Sequence, residues 1–401
     1  MTCEVAVMNK HGIALAADSA VTLGAGEKIY HGADKLFQLS PSASIGVLTY
    51  GNADLMGVPW EIVIKSYGRQ LADRRFDRVE EYASDFLRYI ELNNAFFPES
   101  LQERKFRDTV GWYWYGTFVR PLEQLDAREN RPAKLAALLK SDLEYWKQSE
   151  PMRDLGAGYG DKLIASYGKV LDELENELFS QNERCGRLQI SPEARQDLRA
   201  VTRSIFTQLW FHPADLSGIV FAGMGEAELF AACHEYHVGT LAAGKLRFYK
   251  RNEIVVSHDM SACVAPFGQI DTINMFYRGI DRELHEKLIN AAASYICRAD
   301  QKADYQRILG ELGAHLQQEI DAQYRQPLMT AVDALPRHDL ARMAEALVSL
   351  TALRARVSAR EKETVAGPVD VAVVSKGEGF VWIRRKDTVR QTTAVSEFGI
   401  P

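Results

Sequence analysis

Two neighbouring stretches near the N-terminus are the most informative part of the sequence: Thr2-Cys3-Glu4-Val5-Ala6-Val7-Met8 and Gly12-Ile13-Ala14-Leu15-Ala16-Ala17-Asp18-Ser19. Small and branched side chains predominate in both, which is typical of β-strands bounded by turns. The intervening Lys10-His11-Gly12 favours a three-residue hairpin loop in which Gly12 supplies the left-handed backbone position. We therefore expect an antiparallel hairpin whose even-numbered residues face each other across the two strands.

Thr2 is a candidate nucleophile because it directly follows the initiator methionine. Loss of Met1 would give one residue both a hydroxyl nucleophile and an α-amine, whose reference pKa near ~7.7–8.0 allows it to accept the hydroxyl proton. The small threonine side chain leaves Met1 open to removal by an aminopeptidase. An ordinary first strand is the alternative, and Cys3 is a competing nucleophile that strand alternation turns to the opposite face.

Asp18 and Lys35 are the candidate partners of this threonine. The expected hairpin register brings Asp18 to the face of Thr2, and Lys35 arrives with the next strand. A buried ammonium near a hydroxyl helps it to lose its proton, and a carboxylate keeps that ammonium charged and aimed. The alternatives are a turn aspartate and a solvated lysine.

Gly51 follows a predicted strand, Ile45 to Tyr50, in the segment Thr49-Tyr50-Gly51-Asn52-Ala53-Asp54. Backbone N–H groups between a strand and a helix start can hold a developing oxyanion, and glycine leaves room for the substrate to approach. A plain strand-to-helix turn is the alternative reading of this segment.

These segments resemble the N-terminal third of the proteasome β-subunit and HslV family of N-terminal-nucleophile hydrolases. The matching stretches are Gly12–Asp18, Thr22–Gly24, Ala33–Leu36 and Tyr50–Asp54. The resemblance implies that Thr2 is the nucleophile, that Asp18 and Lys35 activate it, and that the Gly51 amide binds the oxyanion. The chain as a whole looks most like uncharacterised bacterial proteasome-like proteins.

The resemblance resumes at Glu363-Thr364-Val365-Ala366-Gly367, where the family carries an Asp-x-x-Ser-Gly segment that orients the terminal amine. Glu363 stands at the aspartate position and Ala366 at the serine position. Gly268 or Gln269 stands where the family has a second supporting serine. The resemblance thus adds Glu363 to the candidate site and implies an altered shell around the amine.

The order of predicted elements is strands, helices, strands, helices, strands, which argues against regular βαβ alternation. With the resemblance, it predicts an α+β fold: a four-layer αββα sandwich of two antiparallel sheets between helical layers, with large helical insertions. We divide the chain into the first part of the sandwich (1–99), a helical insertion (100–212), the remainder of the sandwich (213–385) and a polar C-terminal tail (386–401).

Composition excludes several classes of protein. The 401 residues carry 48 basic and 54 acidic side chains, a formal charge of −6, so no basic surface for nucleic acid is expected. No apolar run is long enough to span a membrane, and no secretory signal opens the chain. The five cysteines are scattered without a CxxC pair, as in a reduced cytoplasmic protein.

Two motifs suggest cofactors but lack the required spacing. The stretch Gly218 to Glu226 resembles a dinucleotide loop, but Glu228 stands where close packing needs a third glycine. His234 and His237 are not spaced as in the zinc helix signature, and on one strand they point to opposite faces. We expect neither a cofactor nor a metal.

The favoured function is hydrolysis of amide bonds, most of all peptide bonds, through a threonyl ester. The resemblance further implies a homo-oligomeric ring fed by an ATP-driven unfoldase. Two alternatives stay open: a catalytically silent scaffold that keeps the sandwich for partner binding, and an amidase for small non-peptide amides.

Overall fold

Two five-stranded antiparallel sheets lie face to face between helical layers in the computed structural model, which describes residues 2–23, 28–126, 128–296, 302–358 and 365–386. The predicted α+β sandwich is therefore confirmed. The strands are β1 Cys3–Asn9, β2 Gly12–Ala17, β3 Ala20–Leu23, β4 Lys28–His31, β5 Leu36–Gln38, β6 Ile45–Gly51, β7 Asp54–Leu55, β8 Val58–Pro59, β9 Ser217–Gly223, β10 Ala232–Ala242, β11 Lys245–Val255, β12 Ala262–Gly268, β13 Asp370–Ser375 and β14 Gly379–Arg384.

The helices fall into three groups along the chain. They are α1 Trp60–Leu71, α2 Val79–Leu92, α3 Glu99–Trp114, α4 Arg120–Glu123, α5 Arg131–Lys147, α6 Tyr159–Ser166, α7 Gly168–Glu175, α8 Pro192–Thr207, α9 Asp271–Arg278, α10 Arg282–Ile296, α11 Lys302–Ile320, α12 Gln326–Asp333 and α13 Arg337–Val357. Single π-helical turns follow α3, α7 and α11.

The first sheet has the strand order β12-β1-β2-β13-β14, so β1 is an inner strand. Its alternate side chains enter two different cores. Val5 and Val7 pack towards α13, whereas Ala6 and Met8 pack between the two sheets. A strand covered on both faces is expected to be apolar throughout, so any charged residue in β1 needs a specific reason.

The second sheet has the order β11-β10-β9-β6-β5 and closes the other side of the shared core. Its outer face packs on α1 and α2 through large side chains such as Trp60 and Phe86. The start of α1 is tied to the loop after β6, because the Trp60 indole donates to Ser217 Oγ at 2.9 Å and Ser217 Oγ donates to the Asn52 carbonyl oxygen at 3.1 Å.

The hairpin register differs from the predicted one. Asn9 pairs with Gly12, so the turn has the two residues Lys10 and His11, and Glu4 lies opposite Ala17. The expected even-with-even pairing is therefore wrong. The Asn9 amide group explains the tighter turn, because it donates to the Val332 carbonyl at 2.8 Å and accepts from the His11 amide at 2.8 Å.

Strand β12 was not predicted because it contains Pro266, which cannot donate to a sheet ladder. The strand lies at the edge of the first sheet, where proline is tolerated. Its pairing with β1 sets Gly268 opposite Cys3. The segment after β12 is thereby brought against the start of the chain.

Helices α3 to α8 lie in the sequence between the two parts of the chain that form the sandwich. They form a body with its own apolar core. Trp114, Phe179 and Phe206 lie at its centre and are almost completely buried. The body also includes Ala242 and Ala243 at the tip of the β10–β11 hairpin. These contacts agree with a helical insertion, while the exact domain boundaries stay a prediction.

Candidate active site

Thr2 lies at the start of β1 on the wall of a cavity of about 430 Å³. Its carbonyl oxygen accepts a hydrogen bond from the Gln269 amide at 2.6 Å. Gly268 has φ +69°, and an added Cβ there would lie 2.3 Å from the Thr2 carbonyl oxygen. Only glycine fits so close to the candidate nucleophile.

Asp18 follows the end of β2 and is only 2% exposed. Its Oδ1 accepts from the Cys3 amide at 2.9 Å and from Lys35 Nζ at 2.7 Å. Its Oδ2 accepts from the Ala20 amide at 3.0 Å and from the Ala366 amide at 3.4 Å. Asp18 lies just beyond the end of β2, and its carboxylate reaches Lys35 from there. It does not reach the site through the predicted even-with-even pairing of the hairpin.

Lys35 directly precedes β5 and is 4% exposed. Its ammonium contacts the Asp18 carboxylate, and Lys35 lines the cavity together with Thr2. A buried ion pair of this kind persists only when further hydrogen bonds satisfy the carboxylate, as the backbone amides around Asp18 do. The structure thus brings Thr2, Asp18 and Lys35 together, while their catalytic roles stay a prediction.

Gly51 ends β6 on the wall of the same cavity. It has φ +81°, and an added Cβ would lie 2.7 Å from the Leu216 carbonyl oxygen. The next amide, that of Asn52, donates to the same oxygen at 3.0 Å. The position therefore requires glycine, while the role of Gly51 in binding an oxyanion stays a prediction.

Glu363, the remaining predicted site residue, lies outside the described residues. Its neighbour Ala366 is described and contributes a backbone amide to Asp18.

Cys3, the competing nucleophile, faces the core that packs on α13 and is fully buried. Burial raises the pKa of its thiol to about 12. Since the thiolate is the reactive form of cysteine, this environment favours Thr2 over Cys3.

Glu4 is a site residue that the sequence reasoning missed. It is fully buried, and its Oε2 accepts a hydrogen bond from the Thr2 hydroxyl at 3.2 Å. Its Oε1 lies 4.0 Å from Lys35 Nζ and has no hydrogen-bond partner among the described residues. The available signal was a lone charged residue in a strand that is otherwise apolar and inner, since buried carboxylates are rare unless paired.

Lys386 is a second missed residue. Its side chain is 6% exposed and lines the cavity, although the sequence predicts a polar tail from this position onwards. Its ammonium contacts Asp34 Oδ1 at 2.6 Å, Asp370 Oδ2 at 3.2 Å and the Ala33 carbonyl oxygen at 2.6 Å. This lysine fixes the last described residue of the chain to the wall of the candidate site.

A polar network supports the cavity wall behind Tyr50. The Tyr50 hydroxyl donates to Glu235 and lies 3.0 Å from His237 Nε2. Arg251, which can only donate, contacts Glu235 at 3.2 Å and His237 Nε2 at 3.1 Å, so Nδ1 carries the proton and faces Tyr249 at 2.9 Å. Burial and then the Arg251 charge lower the pKa of His237 to about 4.

One group of side chains has the composition of a metal site. Ligand atoms of Glu80, His234 and Glu253 lie within 4.8 Å of one another. The Lys250 ammonium, however, bridges Glu80 and Glu253 at 2.6 Å each, so the positive charge that these carboxylates require is already supplied by the chain.

No helix in the described part of the chain is long and apolar enough to cross a membrane.

Comparisons with known proteins place this chain beside solved structures alone. No protein-family model and no curated protein matches it. The matching structures include Anbu, described as an ancestral beta-subunit, from Yersinia bercovieri (12% identity, 100% of this chain and 99% of that one, TM-score 0.31). They also include an Anbu Gly-1 mutant from Hyphomicrobium sp. strain MC1 (12% identity, 100% of both chains, TM-score 0.30). A third is the helical assembly of the Anbu complex from Pseudomonas aeruginosa (11% identity, 98% of this chain and 92% of that one, TM-score 0.30).

These structures correct the family named from the sequence motifs. The matching structures are Anbu proteins, which are proteasome-like, and the resemblance to proteasome β-subunits and HslV is therefore wrong as a family assignment.

Proposed function

We propose that this protein is an N-terminal threonine hydrolase that cleaves amide bonds, with peptides as the main substrate class. The observation that carries the proposal is the placement of Thr2 on a cavity wall beside a buried Lys35–Asp18 ion pair. Lys35 and Thr2 line the same cavity, and a cavity with a few convergent polar groups is the usual position of an active site.

The geometry supports acyl transfer through a threonyl ester. Thr2 Oγ attacks the substrate carbonyl carbon, and its proton passes to a base of the site, for which the α-amine freed by removal of Met1 is one candidate. The Lys35 ammonium stabilises negative charge on Oγ as the proton leaves. The amide at Gly51 stabilises the carbonyl oxygen, and water then hydrolyses the ester.

The direct test is covalent labelling. A β-lactone that acylates hydroxyl nucleophiles is expected to add its mass to Thr2 in the intact protein, and peptide mapping by mass spectrometry locates the adduct. Thr2→Ala is expected to abolish both labelling and peptide hydrolysis while leaving the melting temperature within a few degrees. Hydrolysis that survives this substitution would refute the mechanism.

Intact-mass measurement before labelling separates this proposal from a silent scaffold. Removal of Met1 leaves the α-amine on Thr2, whereas retained Met1 blocks it and favours the scaffold. A substrate panel of short peptides and small amides then separates a peptidase from a non-peptide amidase.

A further inference from the structure

Glu4 is a charged residue that the proposed mechanism does not use. It lies in the inner strand β1, on the same face as Thr2 and two residues away from it. Gly268 in the neighbouring strand β12 leaves space for its carboxylate, since an added Cβ there would lie 2.9 Å from Glu4 Oε2. The carboxylate therefore occupies a pocket that the backbone keeps open beside the nucleophile.

The contacts of the Glu4 carboxylate are unequal. Oε2 accepts a hydrogen bond from the Thr2 hydroxyl at 3.2 Å, whereas Oε1 is buried without a hydrogen-bond partner among the residues described. Burying a carboxylate in this way is costly, and the Lys35 ammonium at 4.0 Å offsets it only in part. A group that merely stabilised the fold would be expected to have both oxygens satisfied.

We propose that Glu4 is the general base of the reaction and takes the proton directly from the Thr2 hydroxyl. As Thr2 Oγ bonds to the carbonyl carbon, its proton moves to Glu4 Oε2 and the carbonyl electron pair moves to oxygen. Collapse of this intermediate breaks the C–N bond, and the leaving nitrogen takes the proton back from Glu4. In the second half, Glu4 takes a proton from the attacking water, and Thr2 Oγ regains it as the ester is cleaved.

This inference rests on the proposed function and assigns the base that it leaves open. Burial raises the pKa of Glu4 well above its ordinary value, and the neighbouring Asp18 carboxylate raises it further, whereas Lys35 and the Thr2 hydroxyl lower it. A carboxylate with a raised pKa is a stronger base once ionised. The charged or titratable groups near it are Lys35, Asp18, the buried thiol of Cys3 and the N-terminal amine, which lowers the pKa of Glu4.

The test is the pH dependence of Thr2 acylation by the β-lactone in Met1-free protein. In the unsubstituted protein the rate is expected to fall at low pH as Glu4 takes up a proton. Glu4→Gln keeps the shape of the side chain, and it is expected to slow labelling about 100-fold or more and to remove this acid limb, as loss of a general base does. Glu4→Asp retracts the carboxylate by one methylene and is expected to keep the limb at a reduced rate.

Asp142→Asn is a matched control, because Asp142 is also a carboxylate whose pKa burial raises, but it bonds Tyr113 and Trp146 in the helical insertion. It is expected to leave the rate and its pH profile unchanged. Labelling of Glu4→Gln at the rate and profile of the unsubstituted protein would overturn the role of Glu4 and leave the proposed function intact. Absence of labelling in the unsubstituted protein would overturn the proposed function and this inference together.

Discussion

At the scale of the residue, Glu4 is expected to lower the free energy of unfolding. Burial raises its pKa, so above the ordinary pKa of glutamate the unfolded chain releases a proton that the folded chain retains. The free energy of unfolding then decreases as pH rises through this window. Glu4→Gln removes the titration and is expected to raise the melting temperature at neutral pH while activity is lost. A lower melting temperature would indicate that Glu4 stabilises the fold.

Lys386 gives a second prediction at this scale. Lys386→Met removes the ammonium that the buried Asp370 and the partly buried Asp34 both contact, and breaking a buried ion pair costs about 3–5 kcal/mol in the free energy of unfolding. Lys65→Met is the control, since Lys65 also contacts Asp34 at 3.7 Å but is 46% exposed. Its loss is expected to cost about 1 kcal/mol or less. Urea denaturation measures both, and equal small losses would contradict the role given to Lys386.

At the scale of the element, the Tyr50 network joins β6, β10 and β11 behind the cavity. The pKa of His237 is lowered to about 4 in the folded protein, whereas in the unfolded chain it is that of an ordinary histidine. Between these two pKa values, only the unfolded chain takes up the proton. Stability is therefore expected to fall as pH falls through this window. His237→Gln is expected to flatten the fall in melting temperature between pH 7 and pH 4.5. The same substitution at the exposed His258 is the control, and parallel curves for both would contradict the prediction.

Composition and glycine spacing predicted most of the strands along the chain, and the position of Lys35 at the start of the strand after the hairpin suggested that it lies near Thr2. The hairpin register was not, because the Asn9 contacts that shorten the turn come from α12 and the residues after it, more than 320 positions along the chain. Glu4 and Lys386 were not predicted as site residues because charged residues are usually exposed. Only the assembled sandwich shows that these two are buried. Asp18 was predicted to lie near Thr2 through an incorrect register, and its side chain reaches Lys35 from beyond the end of β2.

At the scale of the whole molecule, we predict self-association. Helices α9 and α10 present large apolar side chains to solvent, with Phe276 50%, Leu284 51% and Leu288 51% exposed. Exposed apolar surface of this kind is typical of interaction sites. Light scattering at micromolar concentration is expected to give a multiple of the chain mass, and Leu284→Glu with Leu288→Glu is expected to reduce it. A monomeric mass for the unsubstituted protein would contradict the prediction and favour the helical insertion as a cover for the cavity.

The contact of Lys386 with the cavity wall also has a consequence for biosynthesis. Thr2 leaves the ribosome well before the synthesis of β13, which flanks β2, and of Lys386, which completes the cavity. At roughly 5–20 residues per second, the interval between them is on the order of 20–80 s. During that time the threonine has no assembled site around it. The proposed hydrolase cannot attack neighbouring nascent chains before β13 and Lys386 have been made.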